Sequence, residues 1–561
     1  MKKNCALLFM VLCFGVTFAQ IKSVTLQTSQ PYQYKRVDVD IEVIAKWINP
    51  YLQEDVALDM LIKTPSGKEL LLPCFYESGQ SNKSSIWKAR FAPQEVGNYE
   101  YKFVLSKAGK TKSTSKPQTF NSKTSGESGF LHVKSDWVLQ FDNGKPFRGV
   151  AENICWESRD NDDSKFFREL HEMADVYNYD CMLTDFAQNG GNFYRTWMCS
   201  WNLPIDYKGP FNNSRYTVSD EFYNPSAVER LDHLIELSES LDLYVMLTLG
   251  QGGYMERDGG VATSTEDFFK GRASRDRYKN RLRYIVARWG YSPSIAMWEF
   301  FNEVDNVQFR NRNNPIDPKL ISDWHDEMST YIKQIDPYNH IVTTSISHRD
   351  IEGLNSIKEI DINQKHIYNN TNIIPSEIWK YTKEFQKPYI IGEFGYEWDW
   401  SKNFDDFSDG MDLDFKRGLW YGMFSPTPVL PMSWWWEYFD TRLMTPYFRG
   451  VREINDKMLA SGNGSFESLK IEAGNSHAFS VKCGDDIYVY VYNTENSVLI
   501  SDVVISSEGN AKYNAQSFEP TSMVYREVTN ISSSDSNIVL NKIRLGSQKE
   551  IIYILSPMKK L

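Results

Sequence analysis

Two glutamates lie in separate apolar stretches of this chain and are candidates for carboxylate chemistry. Glu303 closes the stretch MWEFFNE, and Glu393 lies within PYIIGEFG. A buried carboxylate is costly unless it is paired or used. Two carboxylates held about 5–5.5 Å apart can cleave a glycosidic bond with retention, one as acid and base and the other as nucleophile. The two glutamates therefore predict a catalytic pair if the fold brings them together.

Neighbouring residues favour one role for each glutamate. Asn302 stands beside Glu303 and can hydrogen-bond a sugar hydroxyl next to the scissile bond, which suits Glu303 as acid and base. Glu393 suits the nucleophile, with Arg195 or Tyr368 available to keep its carboxylate ionised. The competing interpretation is that either glutamate is a solvated loop residue.

A third glutamate, Glu299, precedes Glu303 by four residues. In a continuous strand both side chains would point to one face, with Glu299 about 13 Å deeper at about 3.3 Å per residue. At that depth Glu299 would not meet a sugar at the mouth of a site. We therefore predict a buried structural ion pair with Arg148 or Arg195, and expect Glu299→Ala to harm folding as much as catalysis.

The region that must position these glutamates alternates strand and helix patterns. Short apolar runs such as LYVMLTLG (243–250) and HIVTTSIS (340–347) predict buried parallel strands, and AVERLDHLIELSESLDL (227–243) predicts an amphipathic helix. Alternation over residues 130–460 predicts a (β/α)₈ barrel, with a doubly wound sheet as the lesser alternative. No glycine fingerprint or Walker loop follows these strands, which weakens a nucleotide-binding version.

In a barrel of this kind, function is located at the carboxyl ends of the strands. Polar and aromatic residues stand at the predicted ends: Glu152 and Asn153 on the first strand, Arg195 and Trp197 on the second, Asn302 and Glu303 on the fourth, His366 and Tyr368 on the sixth, Glu393 on the seventh, and Trp434, Trp435 and Trp436 followed by Glu437 on the eighth. This distribution predicts a site at the mouth of the barrel.

Six of these residues are predicted to bind substrate: Arg195, Asn302, His366, Tyr368, Trp434 and Trp436. Strand alternation would put Trp434 and Trp436 on one face and Trp435 on the other. Which tryptophan stacks on a sugar stays open. His366 has an alternative interpretation as a structural histidine, whereas the Tyr368 hydroxyl could hydrogen-bond Glu393.

The combination of these motifs resembles clan A glycoside hydrolases, which include the cellulase and mannanase family 5 enzymes. The resemblance covers the central 300 or so residues and lies in Asn302-Glu303, His366-x-Tyr368, Glu393 in GEFG and tryptophan on the last strand. It implies a (β/α)₈ barrel and a retaining mechanism, with Glu303 as acid/base, Glu393 as nucleophile and Arg195 as the clan's strand-two arginine. The β-rich segment before the barrel resembles an uncharacterised domain found ahead of such barrels in secreted bacterial proteins.

The flanking segments predict all-β domains. Residues 21–122 alternate apolar and polar residues around turns, as in VDVDIEVIAKW, and predict an N-terminal β-sandwich followed by a linker at 123–129. Residues 461–561 show short strands at regular spacing and predict a second sandwich. We expect the sandwiches to brace the barrel, with glycan binding as the alternative.

The N-terminal residues and the charge bear on location and partners. Residues 1–20 predict a secretory signal peptide, with Lys2 and Lys3 before a short apolar run and Thr17-Phe18-Ala19 resembling a cleavage site. The sequence before Cys13 is a poor lipoprotein box, so a soluble periplasmic or extracellular protein is favoured over a lipid-anchored one. A formal charge of −11 argues mildly against nucleic acid or an anionic membrane as partner.

The sequence predicts no cofactor and no metal site. Its eight histidines include no HxH or HExxH, which weakens a metal-dependent hydrolase as an alternative function. The acidic stretches 159–163 and 404–414 lack EF-hand spacing and are better explained as solvated loops than as calcium sites.

The leading functional interpretation is a secreted retaining glycosidase acting on a β-linked polysaccharide or oligosaccharide. A catalytically inactive carbohydrate-binding or adhesive protein on the same scaffold is the alternative from another class. The sugar, its linkage and endo or exo action stay open, because rim loops such as 199–222 and 250–275 decide them. The oligomeric state also stays open.

Overall fold

A computed structural model of the chain describes residues 19–250, 262–309, 313–397, 399, 401–507, 512–529, 531–534 and 536–558. The predicted signal peptide lies almost wholly outside the described residues, as do residues 251–261 of one rim loop. The chain divides into two compact units, residues 1–125 with 280–291 and residues 126–279 with 292–561. Among the described residues, no helix combines the length and the apolar character needed to cross a bilayer.

The first unit is built from antiparallel sheets. Its strands are β1 (Gln20–Leu26), β2 (Val37–Ile44), β3 (Val56–Lys63), β4 (Glu69–Pro73), β5 (Phe75–Gly79), β6 (Ser84–Phe91), β7 (Gly97–Lys107), β8 (Lys110–Thr114) and β9 (Gln118–Ser122). One sheet has the order β1-β2-β6-β5 and the other β4-β3-β7-β8, with β9 pairing with β7. In β2, alternate residues from Val37 to Val43 are fully buried, as the predicted period of two requires. An N-terminal sheet domain is thus confirmed.

The central part of the second unit contains a parallel array. Its strands are β10 (Leu131–Val133), β11 (Leu139–Phe141), β12 (Pro146–Phe147), β13 (Ala151–Asn153), β14 (Phe193–Trp197), β15 (Tyr244–Thr248), β16 (Ile295–Glu299), β17 (Ile341–Thr343), β18 (Ser345–Ile346), β19 (Asn363–Tyr368) and β20 (Tyr389–Gly395). Strands β13 to β17 pair in parallel in chain order, and β18 to β20 do the same. The predicted apolar strand runs at 243–250, 340–347 and 388–395 are confirmed.

The parallel array returns to its first strand. Ser433 forms parallel bridges with Phe394 of β20 and with Glu152 of β13, and Val429 bridges Gly149. Strands β17 and β18 are separated by Thr344 alone. The described strands and this last segment therefore follow one another around a closed ring, which is the order that a (β/α)₈ barrel requires.

Helices follow most of the parallel strands. Their bounds are α1 (Arg168–His171), α2 (Tyr179–Gln188), α3 (Pro225–Ser240), α4 (Thr265–Lys270), α5 (Arg272–Trp289), α6 (Val304–Gln308), α7 (Pro318–Ile335), α8 (Ile374–Phe385), α9 (Ser408–Met423), α10 (Trp436–Thr441) and α11 (Phe448–Gly462). Short 3₁₀ helices occur at Leu354–Ser356, Thr371–Ile373, Phe404–Phe407 and Thr445–Tyr447. The predicted helix start at Asp317-Pro318 is confirmed, because the Asp317 side chain accepts the Lys319 N–H at 2.9 Å.

The interior of the ring is filled by one apolar cluster. It consists of Leu131, Leu139, Phe141, Phe147, Ala151, Phe193, Met246, Ala296, Met297, Ile341, Ile362, Ile390, Val429 and Met432. The members from β10 to β12 lie beside those from the first residues of the parallel strands. The cluster therefore fills the amino-terminal half of the ring and leaves the carboxyl ends of the strands for polar side chains.

The C-terminal segment forms two antiparallel sheets. Its strands are β21 (Phe466–Ser468), β22 (Ile471–Glu472), β23 (His477–Cys483), β24 (Asp486–Tyr492), β25 (Leu499–Ser506), β26 (Tyr513–Glu519), β27 (Val524–Val528), β28 (Ile531–Ser533), β29 (Asn537–Leu545) and β30 (Glu550–Pro557). The sheet orders are β21-β23-β24-β30-β26-β27 and β22-β25-β29-β28. Residues of both sheets share one apolar core, for example Val489 with Val503 and Leu540. A second sheet domain after the central region is thus confirmed.

Arg148 has a different role from the one predicted. Its buried guanidinium donates to the carbonyls of Gly422, Met423, Ser425 and Thr427 at 2.9–3.0 Å. These carbonyls belong to the end of α9 and the residues after it, where a helix leaves carbonyls without intrahelical partners. Arg148 therefore caps a helix and is not the partner of Glu299.

Candidate active site

The carboxyl ends of the parallel strands bring the predicted site residues together. Arg195 lies in β14, Glu393 lies in β20, and His366 and Tyr368 end β19. Glu303 follows β16 after three further residues and precedes α6. Glu393 contacts the buried guanidinium of Arg195, Tyr368 and His366 contact Glu393, and His366 also contacts Glu303.

Arg195 is fully buried and donates to four side chains. Its Nε and Nη2 reach the two oxygens of Glu299 at 2.7 and 3.0 Å, and Nη1 reaches Glu393 Oε1 at 2.6 Å. Nη2 also donates to Asn302 Oδ1 at 2.7 Å and Nη1 to Asn153 Oδ1 at 3.2 Å. Burial lowers the pKa of Arg195, but the charges of Glu299 and Glu393 outweigh burial and raise it. The guanidinium therefore stays charged.

Glu393 is 3% exposed and is surrounded by donors. Besides Arg195 on Oε1, its Oε2 accepts the Tyr368 hydroxyl and lies 3.3 Å from His366 Nδ1. Burial raises the pKa of Glu393, but the charges of His366 and Arg195 outweigh burial and lower it to about 2. This carboxylate is therefore ionised at any pH at which the protein would work, as a nucleophile must be.

Glu303 has a different environment. Its side chain is 21% exposed, Oε1 lies 2.9 Å from His366 Nδ1, and Oε2 accepts the Asn306 amide at 2.9 Å. The residue has a φ of +53°, a left-handed conformation that non-glycine residues seldom adopt, and its N–H donates to Ser345 Oγ at 2.9 Å. Backbone strain of this kind is found at functional sites, where the surrounding structure maintains it.

The two glutamates lie close enough to act on one bond. One oxygen of Glu303, one oxygen of Glu393 and a ring nitrogen of His366 all lie within 4.8 Å of one another. Retaining glycosidases hold their two carboxyl groups about 5–5.5 Å apart, whereas inverting enzymes leave about 6.5–9.5 Å for a water molecule. The separation in this site matches the retaining class.

His366 bridges the two glutamates through one nitrogen. Its Nδ1 lies 2.9 Å from Glu303 and 3.3 Å from Glu393, and the side chain is fully buried. Burial lowers the pKa of His366, but the charges of the two carboxylates outweigh burial and raise it to about 9. The imidazole is therefore cationic near neutral pH and reduces the repulsion between the carboxylates.

Glu299 forms the predicted buried ion pair, with Arg195. Thr248 also donates its hydroxyl to Glu299, and Gln364 Nε2 donates at 3.0 Å. The predicted depth of Glu299, about 13 Å below Glu303, assumed a continuous strand with a rise of about 3.3 Å per residue. That assumption is wrong. Strand β16 ends at Glu299, and the left-handed Glu303 does not continue it. Glu299 and the nucleophile candidate Glu393 accept hydrogen bonds from the same guanidinium, that of Arg195.

The tryptophan run departs from the expected strand. Only Ser433 forms bridges there, Trp435 has a φ of +67°, and α10 begins at Trp436. The alternation argument for Trp434 and Trp436 is therefore wrong, because a chain that turns into a helix loses the period of two. Trp435 leaves the site, stacking on Phe167 at 5.2 Å between ring centroids.

Trp434 and Trp436 nevertheless share one aromatic cluster. Their ring centroids are 5.3 Å apart, and both rings contact Trp156, at 5.4 and 4.9 Å. Trp434 also lies 5.3 Å from Trp197, whose ring is 5.4 Å from the Arg195 guanidinium. The cluster therefore forms a wall next to the arginine at the centre of the site.

The structure adds two residues that the sequence did not assign to the site. Asn306 contacts Glu303 directly, and Gln364 donates to Glu299. Asn153, predicted at the end of the first strand, accepts a hydrogen bond from Arg195. Asn306 stands three residues after Glu303, a spacing at which side chains meet on a helix. That spacing could have indicated Asn306 if the helix after Glu303 had been predicted.

A second histidine with two acidic neighbours, His171, is the last residue of α1. His171 Nδ1 is 3.2 Å from Asp162, and its Nε2 is 3.7 Å from Glu437. Burial raises the pKa of Glu437 to about 7, whereas His171 and nearby donors hold the pKa of Asp162 well below its usual value despite burial. Because Arg159 also pairs with Asp162, this part of the predicted solvated stretch 159–163 is engaged in a buried ionic contact.

Comparisons with known proteins agree with this geometry. Residues 158–406 match the model described as cellulase (glycosyl hydrolase family 5), and residues 30–106 match a domain of unknown function, DUF5060. Mannan endo-1,4-beta-mannosidase A of Podospora anserina is 24% identical over 254 residues, which are 39% of this chain and 65% of that protein. Mannan endo-1,4-beta-mannosidase 5 of Arabidopsis thaliana is 26% identical over 205 residues, 32% of this chain and 43% of that protein. The chain thus spans less than two thirds of the length of these curated relatives.

A solved structure resembles the whole chain. A protein from Bacteroides vulgatus ATCC 8482, described as a candidate glycoside hydrolase, superposes with a TM-score of 0.63 at 14% identity and covers 95% of this chain and 100% of that one. At this identity the likeness shows a common fold and nothing about substrate.

We expect Glu299→Ala to destabilise the protein as well as to inactivate it. The substitution leaves the buried Arg195 charge without its bidentate partner, which costs about 3–5 kcal/mol. Denaturant unfolding of this variant, with Glu229→Ala on the exposed side of α3 as control, measures the change. A Glu299→Ala protein that is as stable as the control but inactive would contradict the structural role.

His366 should make stability depend on pH between about 6.5 and 9. Its pKa is raised from 6.5 to about 9, so the stability it contributes is complete below pH 6.5 and is lost as the pH rises through 9. The difference in melting temperature between the wild type and His366→Gln should therefore shrink from pH 6.5 to 9.5. A difference that stays constant over this range would show that the imidazole does not titrate as described.

Proposed function

We propose a function for this chain from the premise that it is a clan A, family 5-like glycoside hydrolase with an N-terminal DUF5060 domain. Its reaction is the hydrolysis of a β-linked polysaccharide or oligosaccharide with retention of anomeric configuration. The central region acts as a (β/α)₈ barrel, and each of the two sheet domains is a sandwich. Residues 1–20 direct the protein out of the cytoplasm as a soluble enzyme, and they are removed on export.

The observation that supports this proposal most strongly is the unequal environment of two close carboxylates. Glu393 is buried among Arg195, His366 and Tyr368, whereas Glu303 shares His366 with it but is partly exposed and also contacts the Asn306 amide. A buried carboxylate that its neighbours keep ionised suits the nucleophile, and the more exposed carboxyl group suits the residue that meets the leaving oxygen. Oxygen atoms of the two carboxyl groups that lie within 4.8 Å of each other favour the shorter spacing of retaining enzymes over the about 6.5–9.5 Å of inverting enzymes.

In the first step Glu393 attacks the anomeric carbon while Glu303 protonates the leaving oxygen. The Tyr368 hydroxyl and the Arg195 guanidinium hold the two oxygens of Glu393 in place, which fixes the direction of attack. Glu303 sits on the more exposed side, where a leaving sugar can depart. The product of this step is a glycosyl ester on Glu393.

In the second step Glu303 acts as a general base instead of a general acid. Glu303, now ionised, removes a proton from a water molecule that attacks the same anomeric carbon, and Glu393 is released as a carboxylate. His366 Nδ1 remains within hydrogen-bond distance of Glu303 throughout this cycle and orients its Oε1. Two inversions at one carbon give net retention.

We propose β-1,4-mannan as the first substrate to test. The curated relatives are named mannan endo-1,4-beta-mannosidases, and the wall formed by Trp434 and its neighbours provides aromatic faces on which a pyranose ring can stack. Reducing-sugar release from β-mannan, compared with β-glucan, xylan and algal galactan, decides the substrate class. Binding to these glycans without any turnover would instead favour the inactive carbohydrate-binding alternative.

Glu393→Gln should abolish hydrolysis, because the amide keeps the shape of the carboxylate but cannot attack, and should lower the melting temperature, because Arg195 and His366 lose a buried negative charge. Glu229→Gln, the same change at an exposed position of α3, is the matched control. Activity and melting temperature are measured for both variants. Retained hydrolysis by Glu393→Gln would refute the nucleophile assignment.

Glu303→Ala should lose activity on substrates with poor leaving groups and regain part of it in azide when the leaving group is good. The leaving group then needs no protonation, and azide replaces the water that Glu303 would activate. Proton NMR should show a β-glycosyl azide as product. An α-glycosyl azide, or the absence of rescue, would contradict the retaining assignment of Glu303.

A further inference from the structure

We propose that Glu303, His366 and Glu393 also form a binding site for a divalent transition-metal ion such as Zn²⁺, and that the bound ion inhibits the enzyme. The ion would lie between Nδ1 of the His366 ring and the two carboxylates. Inhibition as the consequence rests on the proposed hydrolytic function, whereas binding of the ion does not.

The geometry of the three donor atoms supports a common ligand. In the described part of the chain, these three residues are the group of histidine, cysteine and acidic side chains whose donor atoms converge, within 4.8 Å of one another. His366 Nδ1 is 2.9 Å from Glu303 Oε1 and 3.3 Å from Glu393 Oε2. Zinc bonds of about 2.0–2.2 Å in a tetrahedron place neighbouring ligand atoms about 3.4 Å apart. Small side-chain shifts therefore allow one ion to contact all three atoms.

The charge around the site also suits a dication. Glu299 and Glu393 pair with the guanidinium of Arg195, and the carboxylate of Glu303 lies beside that of Glu393. With a neutral imidazole this group has a net charge of minus two, which one divalent ion neutralises. Because a metal ligand must be deprotonated, binding of the ion at Nδ1 releases the proton that lies there.

Both ligating carboxylates already have supporting donors on their other sides. Arg195 Nη1 donates to Glu393 Oε1 at 2.6 Å, and the Asn306 amide donates to Glu303 Oε2 at 2.9 Å. Such donors orient first-shell ligands in metal sites. His366 Nε2, in contrast, is buried with no partner among the described residues, and lack of such support lowers metal affinity by about 10- to 100-fold. We therefore expect reversible binding, weaker than that of a resident zinc ion.

The types of ligand atoms determine which ion binds, and the side from which the ion enters determines how it affects the enzyme. One imidazole with two carboxylates favours zinc and similar ions over magnesium and calcium, which prefer oxygen ligands alone. The side chain of Glu303 is 21% exposed and those of His366 and Glu393 are 0% and 4% exposed, so an ion enters from the Glu303 side. That is the side assigned to the leaving group, so ion and substrate exclude each other.

The chain contains a matched control for this site. His171 also has two acidic neighbours, but Asp162 faces Nδ1 at 3.2 Å and Glu437 faces Nε2 at 3.7 Å. Acidic groups on opposite ring nitrogens cannot share one ion with the imidazole. The His171 group therefore has residue types similar to those of the proposed site, but its ligand atoms do not point to one position.

The test is calorimetric titration of the metal-free, untagged protein with zinc chloride. The wild type and His171→Gln should bind one ion per chain, and His366→Gln and Glu303→Gln should bind it at least about tenfold more weakly because each loses a ligand. Magnesium and calcium chloride should give no binding heat. Equal zinc affinity of the wild type and of a folded His366→Gln or Glu303→Gln protein would overturn the site.

Initial rates on the best substrate measure the consequence. Zinc should reduce the rate of the wild type competitively, and an excess of EDTA should restore it in full. Stimulation by zinc, or zinc binding without competition, would overturn the inhibitory role. If the protein hydrolyses no glycan, the titration still decides the metal site, so the failure of the proposed function and the failure of this inference are distinguishable.

Discussion

The buried guanidinium of Arg195 is the interaction on which the candidate site depends. Removing a charge of this kind from water costs several kcal/mol unless its hydrogen-bonding groups and its charge are matched. Glu299 supplies a bidentate partner from β16, Glu393 a second carboxylate from β20, and Asn153 and Asn302 accept further hydrogen bonds. One side chain thus joins the carboxyl ends of strands from different parts of the ring. The contact between Arg195 and Glu393 fixes the position of the nucleophile candidate. Losing that contact would leave buried charge without its partner.

This constraint explains the unequal roles proposed for the two glutamates. Glu393 lies on the buried side of the site, where Arg195, His366 and Tyr368 stabilise its ionised form. Glu303 lies at a left-handed residue after the strand, so its side chain reaches the more exposed side and contacts a neutral amide. His366 Nδ1 is within 3.3 Å of both carboxylates, so the imidazole contacts the two glutamates through one nitrogen. A retaining reaction requires this division, because one carboxyl group must be ionised while the other donates a proton.

Much of this arrangement could be predicted from the sequence. Strands buried on both faces are continuous apolar runs, so PYIIGEFG and LYVMLTLG indicated β20 and β15 and placed Glu393 at a strand end. The closeness of Arg195, Glu303 and Glu393 followed from the rule that barrel strands converge at their carboxyl ends. The ion pair of Glu299 followed from the cost of an isolated buried carboxylate.

The errors arose where the chain leaves regular structure. A pattern of period two cannot show that Trp435 adopts a positive φ and that a helix begins at Trp436, so the expected strand alternation of the tryptophans was wrong. The same limit applies to Glu303, whose left-handed conformation ends the strand geometry on which the predicted depth of Glu299 relied. The capping role of Arg148 depends on carbonyls of a helix end that is remote in sequence, and no local pattern indicates it.

The central claim is that Glu393 forms a covalent bond to the sugar during turnover. Incubation with a 2-deoxy-2-fluoro-β-glycoside that has a good leaving group, followed by proteolysis and mass spectrometry, tests this claim most directly. The account predicts a glycosyl adduct on the peptide that contains GEFG, located at Glu393. An adduct on Glu303 or any other residue, or release of an inverted product without an adduct, would contradict it.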